Sequence, residues 1–420
     1  MNILLVAYYF PPLVSGGSQR PARMHRHLAR LGNQVTVLAP SYTQTDLAGP
    51  DLIRVYDPSH NLDRRGLHRL QWFCRRLPVE ISNRFGRYSS IYLRWQQEVL
   101  RRADAILATA RPELILATYP PVESLEIGLR LAQLARVPLV ADFRDGLLFE
   151  PVEAKRLDRF ACLRRRYERI EAEVVAKAAA LITVSPYLSA YFESRYGPGN
   201  VSTIPNGYDE DDRRDFPAGT EFAGKGLHVV HAGRIALSDA TRSLRPFAEA
   251  VERLRGADPG LAEKLHLHFI GRLSTGEKRD LARLRRSGLA SLHGEKGHAA
   301  SLAMQRQADL LLLITSAARP GIAPGKLFEY LAVQKPILAL DDGTYAGEIV
   351  RECGGGWVVP ARDARAIGAI LEEIIRDRST LAARIPSAAS VQAYSATRQM
   401  QQLNALLCHV LARATGGHEA

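Results

Sequence analysis

Four short stretches gather residue types that could handle an anionic substrate. The first, Tyr8–Ser18, follows an apolar run and carries Gly16-Gly17 just before a basic, helix-like segment. Paired glycines allow positive φ and close backbone approach. The helix behind them offers free N–H groups and a positive dipole end that suit a phosphate; a tight structural turn is the alternative. The second, Ala141-Asp142-Phe143-Arg144-Asp145-Gly146, sets two carboxylates around one arginine. Burying such charges unpaired is costly, so the stretch is either a structural Asp–Arg pair or a device that positions an acceptor and moves its proton. In the third, His231-Ala232-Gly233-Arg234, an apolar run ends in an arginine, with Arg242 close behind. The fourth, Pro324-Gly325-Lys326-Leu327-Phe328-Glu329, opens a helix and places a lysine in its first turn. A cation there opposes the helix dipole by up to about 1 kcal/mol, a conflict that a bound diphosphate removes. Glu329 falls on the same helix face, where a carboxylate could accept hydrogen bonds from two ribose hydroxyls. An exposed Lys–Glu pair is the simpler reading of those two residues alone.

The elements that must position these stretches are legible as alternation. In the first half, Asn2–Ala7, Gln34–Ala39, Leu114–Ala117, Leu139–Asp142 and Leu181–Val184 read as strands, separated by helices such as Ala22–Leu31, Glu123–Ala135 and Leu157–Lys177. The third strand runs into a further loop, Thr118-Tyr119-Pro120-Pro121. Strands apolar throughout and spaced by helices argue for a parallel sheet covered on both faces, and such sheets bind ligands beyond the carboxyl ends of their strands. The pattern restarts with strands at Leu227–His231, Leu265–Ile270, Leu289–Leu292, Leu310–Ile314, Ile337–Leu340 and Gly356–Val359, and helices such as Leu244–Leu254 and Leu327–Ala332. The expectation is an α/β chain of two doubly wound domains, 1–205 and 206–385, followed by a terminal segment 386–420 whose stretch Ser395–Leu411 reads as a helix. The boundary falls in Ile204–Asp209, where Pro-Asn-Gly is turn chemistry. The acidic run Asp209-Glu210-Asp211-Asp212 reads as solvated linker charge, because no spaced ligand pattern accompanies it.

Composition narrows the function. The glycine turn is not G-x-G-x-x-G and no acid ends the second strand, which disfavours a nicotinamide or flavin site. Four dispersed cysteines with no C-x-x-C pair argue against a zinc site or disulfide framework and for a reducing, cytoplasmic setting. The start has neither a basic n-region nor a cleavage signature, and no apolar run is long enough to span a bilayer. The net charge of +12 favours anionic partners. Ten arginines against two glutamates fall between Arg64 and Arg102, together with Trp72, Phe73, Phe85, Tyr88, Tyr92 and Trp95. Arginine with interfacial aromatics is the composition of a membrane-surface element, here a peripheral contact with anionic lipid at the inner face of the cell membrane; a helical hairpin that buries its aromatics is the alternative. No nucleic-acid-binding motif accompanies the charge.

Six stretches carry a family resemblance through their order and spacing: "YYFPPLVSGGSQRPARMHRHLARLGNQVTVLAP", "VPLVADFRD", "ALITVSPYLSAYFESRYG", "VSTIPNGYD", "ADLLLLI" and "PGKLFEYLAVQKPILAL". The chain resembles bacterial group 1 glycosyltransferases of the GT-B fold, the retaining family four. The resemblance implies two Rossmann-like domains facing across a cleft and a terminal helix that crosses back to the first. It also implies a nucleotide-sugar donor, a UDP-sugar above all, and neither a metal nor another cofactor. On that pattern Gly16, Gly17, Arg234, Arg242, Gly325, Lys326, Leu327 and Glu329 would bind the donor. Asp142, Arg144 and Asp145 would serve catalysis, and Tyr8, Tyr9 and Tyr119 would shape the acceptor side. The sequence departs from the family in having Asp239 where a lysine follows the arginine, Gly321 where a glutamate precedes Glu329, and Leu125 where a histidine is common. The implied activity is glycosyl transfer with retention in surface-polysaccharide or glycolipid assembly. Decoration of a small natural product, epimerisation of a sugar nucleotide, or a catalytically silent nucleotide- or partner-binding protein are the other readings.

Overall fold

A computed structural model describes residues 1–13, 16–41, 51–57, 77–151, 154–211, 222, 225–237 and 239–416. The chain forms two compact units, Met1–Pro205 joined by Gln399–Ala420, and Asn206–Arg398.

The first unit is built on seven strands: β1 (Asn2–Val6), β2 (Gln34–Ser41), β3 (Leu52–Tyr56), β4 (Leu114–Tyr119), β5 (Leu139–Phe143), β6 (Ala180–Thr183) and β7 (Val201–Thr203). All pair in parallel in the order β3-β2-β1-β4-β5-β6-β7. The order reverses between β1 and β4, so the ends of these strands form the crevice in which such sheets place ligands. β1, β4 and β5 are almost entirely buried, as their unbroken apolar sequence requires. The helix Gly16–Arg30 follows β1 and packs Met24 and Leu28 against Ile3, Leu5 and Val37. That same core takes Met400, Leu403, Leu407 and Val410 from the terminal helix Ala396–Gly416. Their spacing makes one apolar stripe along that helix. Asn33 Nδ2 also donates to Asn404 Oδ1 at 2.7 Å.

The second unit has six parallel strands: β8 (Leu227–Ala232), β9 (Leu265–Ile270), β10 (Ala290–Gly294), β11 (Leu310–Ile314), β12 (Ile337–Leu340) and β13 (Gly356–Val359). Their order is β10-β9-β8-β11-β12-β13, with the reversal between β8 and β11. This unit runs beyond residue 385, where the alternation had placed its end. Tyr208 bridges Ser395, its amide donates to Tyr394 O at 3.0 Å, and the Ala396 amide returns to Tyr208 O at 2.8 Å. The unit therefore closes on its own entry point.

Other differences have local causes. β3 and β7 were not expected: β3 is a half-exposed edge strand interrupted by Arg54, and β7 is only Val-Ser-Thr, so neither shows a continuous apolar run. The single helix expected over Leu157–Lys177 is two, Ala154–Arg159 and Ala161–Lys177, broken where Phe160 turns extended at φ −122° and ψ 100°. Of the basic, aromatic segment, 64–76 with Trp72 and Phe73 lies outside the described residues, as does Asp212 in the acidic run. In the described part the aromatics mostly turn inward. Trp95 is fully buried, Tyr88 donates to Glu123 Oε1 at 2.7 Å, and Tyr92 shares a hydrogen bond with Tyr9. Phe85 alone among them is widely exposed, at 79%. Among the described residues, no helix is long and apolar enough to cross a membrane.

Candidate functional site

In the second unit, the ends of β8 and β11 bring the third and fourth stretches together. His231, the penultimate residue of β8, is buried, and its Nδ1 lies 2.9 Å from Leu312 O. A carbonyl only accepts, so Nδ1 carries the proton and Nε2 is left with a lone pair. Lys326 Nζ donates to that Nε2 at 3.2 Å and to Arg234 O at 3.0 Å. The lysine that the helix dipole disfavours is thus held by two acceptors at the sheet's carboxyl end, half-buried. Burial, together with the Arg242 guanidinium, pushes its pKa down to about 7. Burial and the Lys326 charge hold His231 well below the usual imidazole range, which keeps Nε2 an acceptor.

The backbone here is shaped for that lysine. Gly233 follows β8 at φ +93°, and a Cβ on it would stand 3.4 Å from Lys326 Nζ. Gly271, at φ +116°, lies so close that its Cβ would fall 2.9 Å from Gly233 O. The Tyr330 hydroxyl accepts from the Ala232 amide at 2.9 Å and donates to Leu312 O at 3.3 Å, tying the helix Gly325–Ala332 to both strands. Glu277 accepts from the Ala236 amide at 2.8 Å and steadies the loop after β8. Gly325 begins the helix behind Pro324, which offers no side-chain cap, leaving first-turn amides for an anion. The Leu327 amide already donates to Pro324 O at 3.0 Å and its side chain is core, so Leu327 is a packing residue and not a ligand-facing one.

Arg242 is half-buried near Asp239; burial lowers its pKa, which Asp239 partly offsets. Asp239 itself accepts from the Thr241 amide at 3.0 Å and hydroxyl at 2.6 Å. The aspartate that replaces the family lysine thus shapes the turn that carries Arg242. Arg234 is largely exposed and faces Glu295 at 3.7 Å. Glu329 is partly exposed one turn beyond Lys326; its Oε2 accepts from Gln305 Nε2 at 3.3 Å, and Oε1 faces His298 Nδ1 at 3.8 Å. Gln305 is fully buried, which fixes the carboxylate's orientation.

In the first unit, Asp142 is the penultimate residue of β5 and has no exposed surface. Its partner is Arg20, not Arg144. Arg20 Nη2 donates to Oδ1 at 2.8 Å and Nε to both oxygens at 3.1 Å, while Thr118 Oγ1 donates to Oδ2 at 2.8 Å. Arg20 Nη1 also donates to Pro205 O at 3.0 Å. The clasp binds the first helix, β4, β5 and the end of the segment in one buried network, and it leaves Asp142 no route to a substrate proton. Arg144 instead packs over the Tyr9 ring and donates to Gly17 O, with Asp145 at 4.0 Å. A Cβ at Gly17 would meet that guanidinium at 3.1 Å, whereas one at Gly16 would meet nothing within 4 Å. Gly17 therefore makes room for Arg144, and only Gly16 opens outward. Tyr8 is wholly buried, with its hydroxyl donating to Asp57 Oδ2 at 2.6 Å, and Tyr119 is buried beside Phe143. Both are core residues and not an acceptor surface; Tyr9 remains half-exposed, bonded to Tyr92 at 2.7 Å.

Arg20, His231, Gly271, Gln305 and Tyr330 escaped the sequence reading. Arg20, His231 and Tyr330 lie within stretches singled out for other residues, and Gly271 and Gln305 act through long-range contacts that spacing does not reveal.

Residues 15–207 match the family described as glycosyl transferase 4-like domain, and residues 226–377 match glycosyl transferases group 1. Among curated proteins none matches the chain in sequence. Solved structures share the fold. The sucrose-phosphate synthase of Thermosynechococcus elongatus is 16% identical with a TM-score of 0.64, over 98% of this chain and 99% of that one. Alr3699/HepE of Anabaena, solved with UDP, is 16% identical with a TM-score of 0.61, over 97% and 100%. A trehalose-6-phosphate protein from E. coli, bound with UDP-2-fluoro glucose, is 13% identical with a TM-score of 0.64, over 97% and 98%.

Proposed function

The chain belongs to the group 1 glycosyltransferases of the GT-B fold, and from that premise we propose that it transfers a sugar, with retention, from a UDP-sugar to a glycan or glycolipid acceptor in bacterial surface-polysaccharide assembly, working at the inner face of the cell membrane. The observation that carries the donor half is Lys326, half-buried and pre-oriented by His231 and Arg234 O at the end of the β8–β11 crevice. Similar folds have been solved with UDP and with a UDP-sugar analogue, which supports the choice of nucleotide.

In this reading Lys326, Arg242 and the first-turn amides of Gly325–Ala332 take the diphosphate. Glu329, oriented by Gln305, accepts from the ribose hydroxyls. As the sugar–phosphate bond breaks, negative charge grows on the leaving diphosphate, and preorganised donors in a half-desolvated site stabilise it more than water would. In the first unit Gly16, Arg144, Asp145 and Tyr9 face the acceptor, and Asp142 acts only by holding the crevice together. With Asp142 committed to Arg20, the acceptor's proton goes to the leaving phosphate oxygen as the acceptor attacks from the same face, which keeps the anomeric configuration.

The test is UDP binding followed by thermal shift, with UDP-sugar hydrolysis as a second readout. The wild type should show a nucleotide-dependent rise in Tm that Glu329→Ala abolishes or reduces at least about tenfold in affinity, in line with loss of two hydrogen bonds to a charged group. An unchanged shift in that variant refutes the ribose assignment, and no UDP effect in the wild type refutes the donor.

A further inference from the structure

The first unit carries a second basic feature, away from the ends of β1 and β4. Helix 77–84, the residues around Phe160 and the start of Ala161–Lys177 enclose an open cleft of about 530 Å³. Arg84, Arg159 and Arg165 line it, with Asn83, Phe160 and Cys162 at its floor. The three arginines are exposed, and among the described residues none of them is paired with a carboxylate. Their neighbours show that this is not the local rule. Arg156 faces Glu80 at 3.2 Å, Arg164 is bonded to Asp158 and Arg166 to Glu126. Among the described residues no acid lines the cleft. Its floor is rigid: Cys162 Sγ donates to Asn83 O, and the Asn83 side chain exchanges hydrogen bonds with Ser89.

The same helix has an apolar face turned to solvent. Leu77, Ile81 and Phe85 are 46%, 47% and 79% exposed, and the Phe85 amide still bonds to Ile81 O. Residues spaced by four lie in one line along a helix, so the three form a stripe, and Val79 and Asn83 on the opposite side are buried. Arg159 lies over the Phe160 ring, and guanidinium groups without a carboxylate partner recognise phosphate oxygens. An apolar stripe beside them has no partner within the described residues, and a lipid surface with phosphate headgroups offers both chemistries at once.

We propose that this cleft and stripe form the membrane-docking site of the chain, with an anionic phospholipid headgroup held by Arg84, Arg159 and Arg165 while Leu77, Ile81 and Phe85 enter the acyl boundary. The proposal rests on the membrane-facing part of the functional reading above and not on the donor site.

The full-length protein is tested by co-sedimentation with vesicles of phosphatidylcholine alone and of phosphatidylcholine with phosphatidylglycerol. Wild type should bind the anionic vesicles and not the neutral ones. The triple variant Arg84→Gln, Arg159→Gln, Arg165→Gln should lose roughly a hundredfold in partition, the sum of three cationic contacts near a charged membrane. The variant Leu77→Ser, Ile81→Ser, Phe85→Ser should leave only a weak binding abolished by moderate salt. The thermal shift with UDP should be retained in every variant, and resistance of residues 1–205 to limited proteolysis reports that the first unit is folded. If wild type ignores anionic vesicles, the membrane reading itself falls. If it binds and the arginine triple variant binds equally well, the cleft is overturned while the membrane reading stands. Binding of a single-stranded oligonucleotide that the same variant abolishes, with no vesicle binding, would assign the arginines to nucleic acid instead.

Discussion

At the scale of single residues, two ionic arrangements make opposite use of burial. Asp142 and Arg20 are both taken out of water and satisfy each other through three hydrogen bonds. Such pairs contribute little when intact but are costly to break from one side, about 3–5 kcal/mol. Asp142→Asn should therefore lower unfolding stability by about that much in a denaturant titration. If Asp142 instead took a proton in catalysis, the variant would keep its stability and lose kcat. Lys326 is half-buried and, among the described residues, has no carboxylate bonded to it; burial and Arg242 push its pKa down to about 7. A diphosphate beside it restores the charged form, so binding must take up a proton. The sign follows from linkage: uptake is small at pH 6, where the free lysine is already charged, about half a proton at pH 7, and nearly one at pH 8. UDP affinity should accordingly fall as pH rises above 7. Calorimetry in two buffers of different ionisation enthalpy measures this. Lys326→Met should erase the buffer dependence and weaken UDP by about ten- to a hundredfold.

At the scale of elements, the strands were the legible part and their edges were not. β1, β4, β5, β8, β9, β11 and β12 are buried on both faces and read directly as apolar runs. β3 and β7 owe their existence to a neighbour already in place, which no local pattern announces. The same divide runs through the candidate site. Lys326 and Glu329 were visible because a cation in a first helical turn conflicts with local propensity. Gly271 was not, because its reason is Gly233, which is on another strand's end. Both glycines have positive φ and almost touch, so Gly271→Ala combines backbone strain with a clash against the Gly233 carbonyl. The expected cost is about 1–3 kcal/mol, with a weaker UDP shift because Gly233 must move against Lys326. Gly288→Ala has positive φ but open space around its Cβ, so it should lose some stability and leave UDP affinity unchanged. Equal UDP effects in the two variants would contradict the close-approach argument. Tyr8 and Tyr119 misled for a related reason: aromatics in a strand-end loop are as apt to seal the core below the crevice as to line it.

At the scale of the whole molecule, one unit is continuous in sequence and the other is not. Asn206–Arg398 folds from a single stretch, while the first unit needs both ends of the chain. Met400, Leu403, Leu407 and Val410 cover one face of the first sheet. At about 1.5–3 kcal/mol for each buried side chain, their gross contribution is comparable to the 5–15 kcal/mol that a domain usually has in hand. A chain ending at Arg398 should thus lose the cooperative unfolding of its first unit, seen as rapid proteolysis within 1–205 while UDP still protects the second. Protection of both would show the terminal helix to be dispensable. The arrangement also sets a schedule during synthesis. β1 leaves the ribosome before the second unit, yet Met400, Leu403, Leu407 and Val410, which complete the cluster around Ile3, Leu5 and Val37, follow that unit. Until then this apolar cluster has only Met24 and Leu28 of the first helix to cover it while the second unit is translated. The growing chain is therefore a natural client for chaperones, and its first unit is most vulnerable while the second is being made.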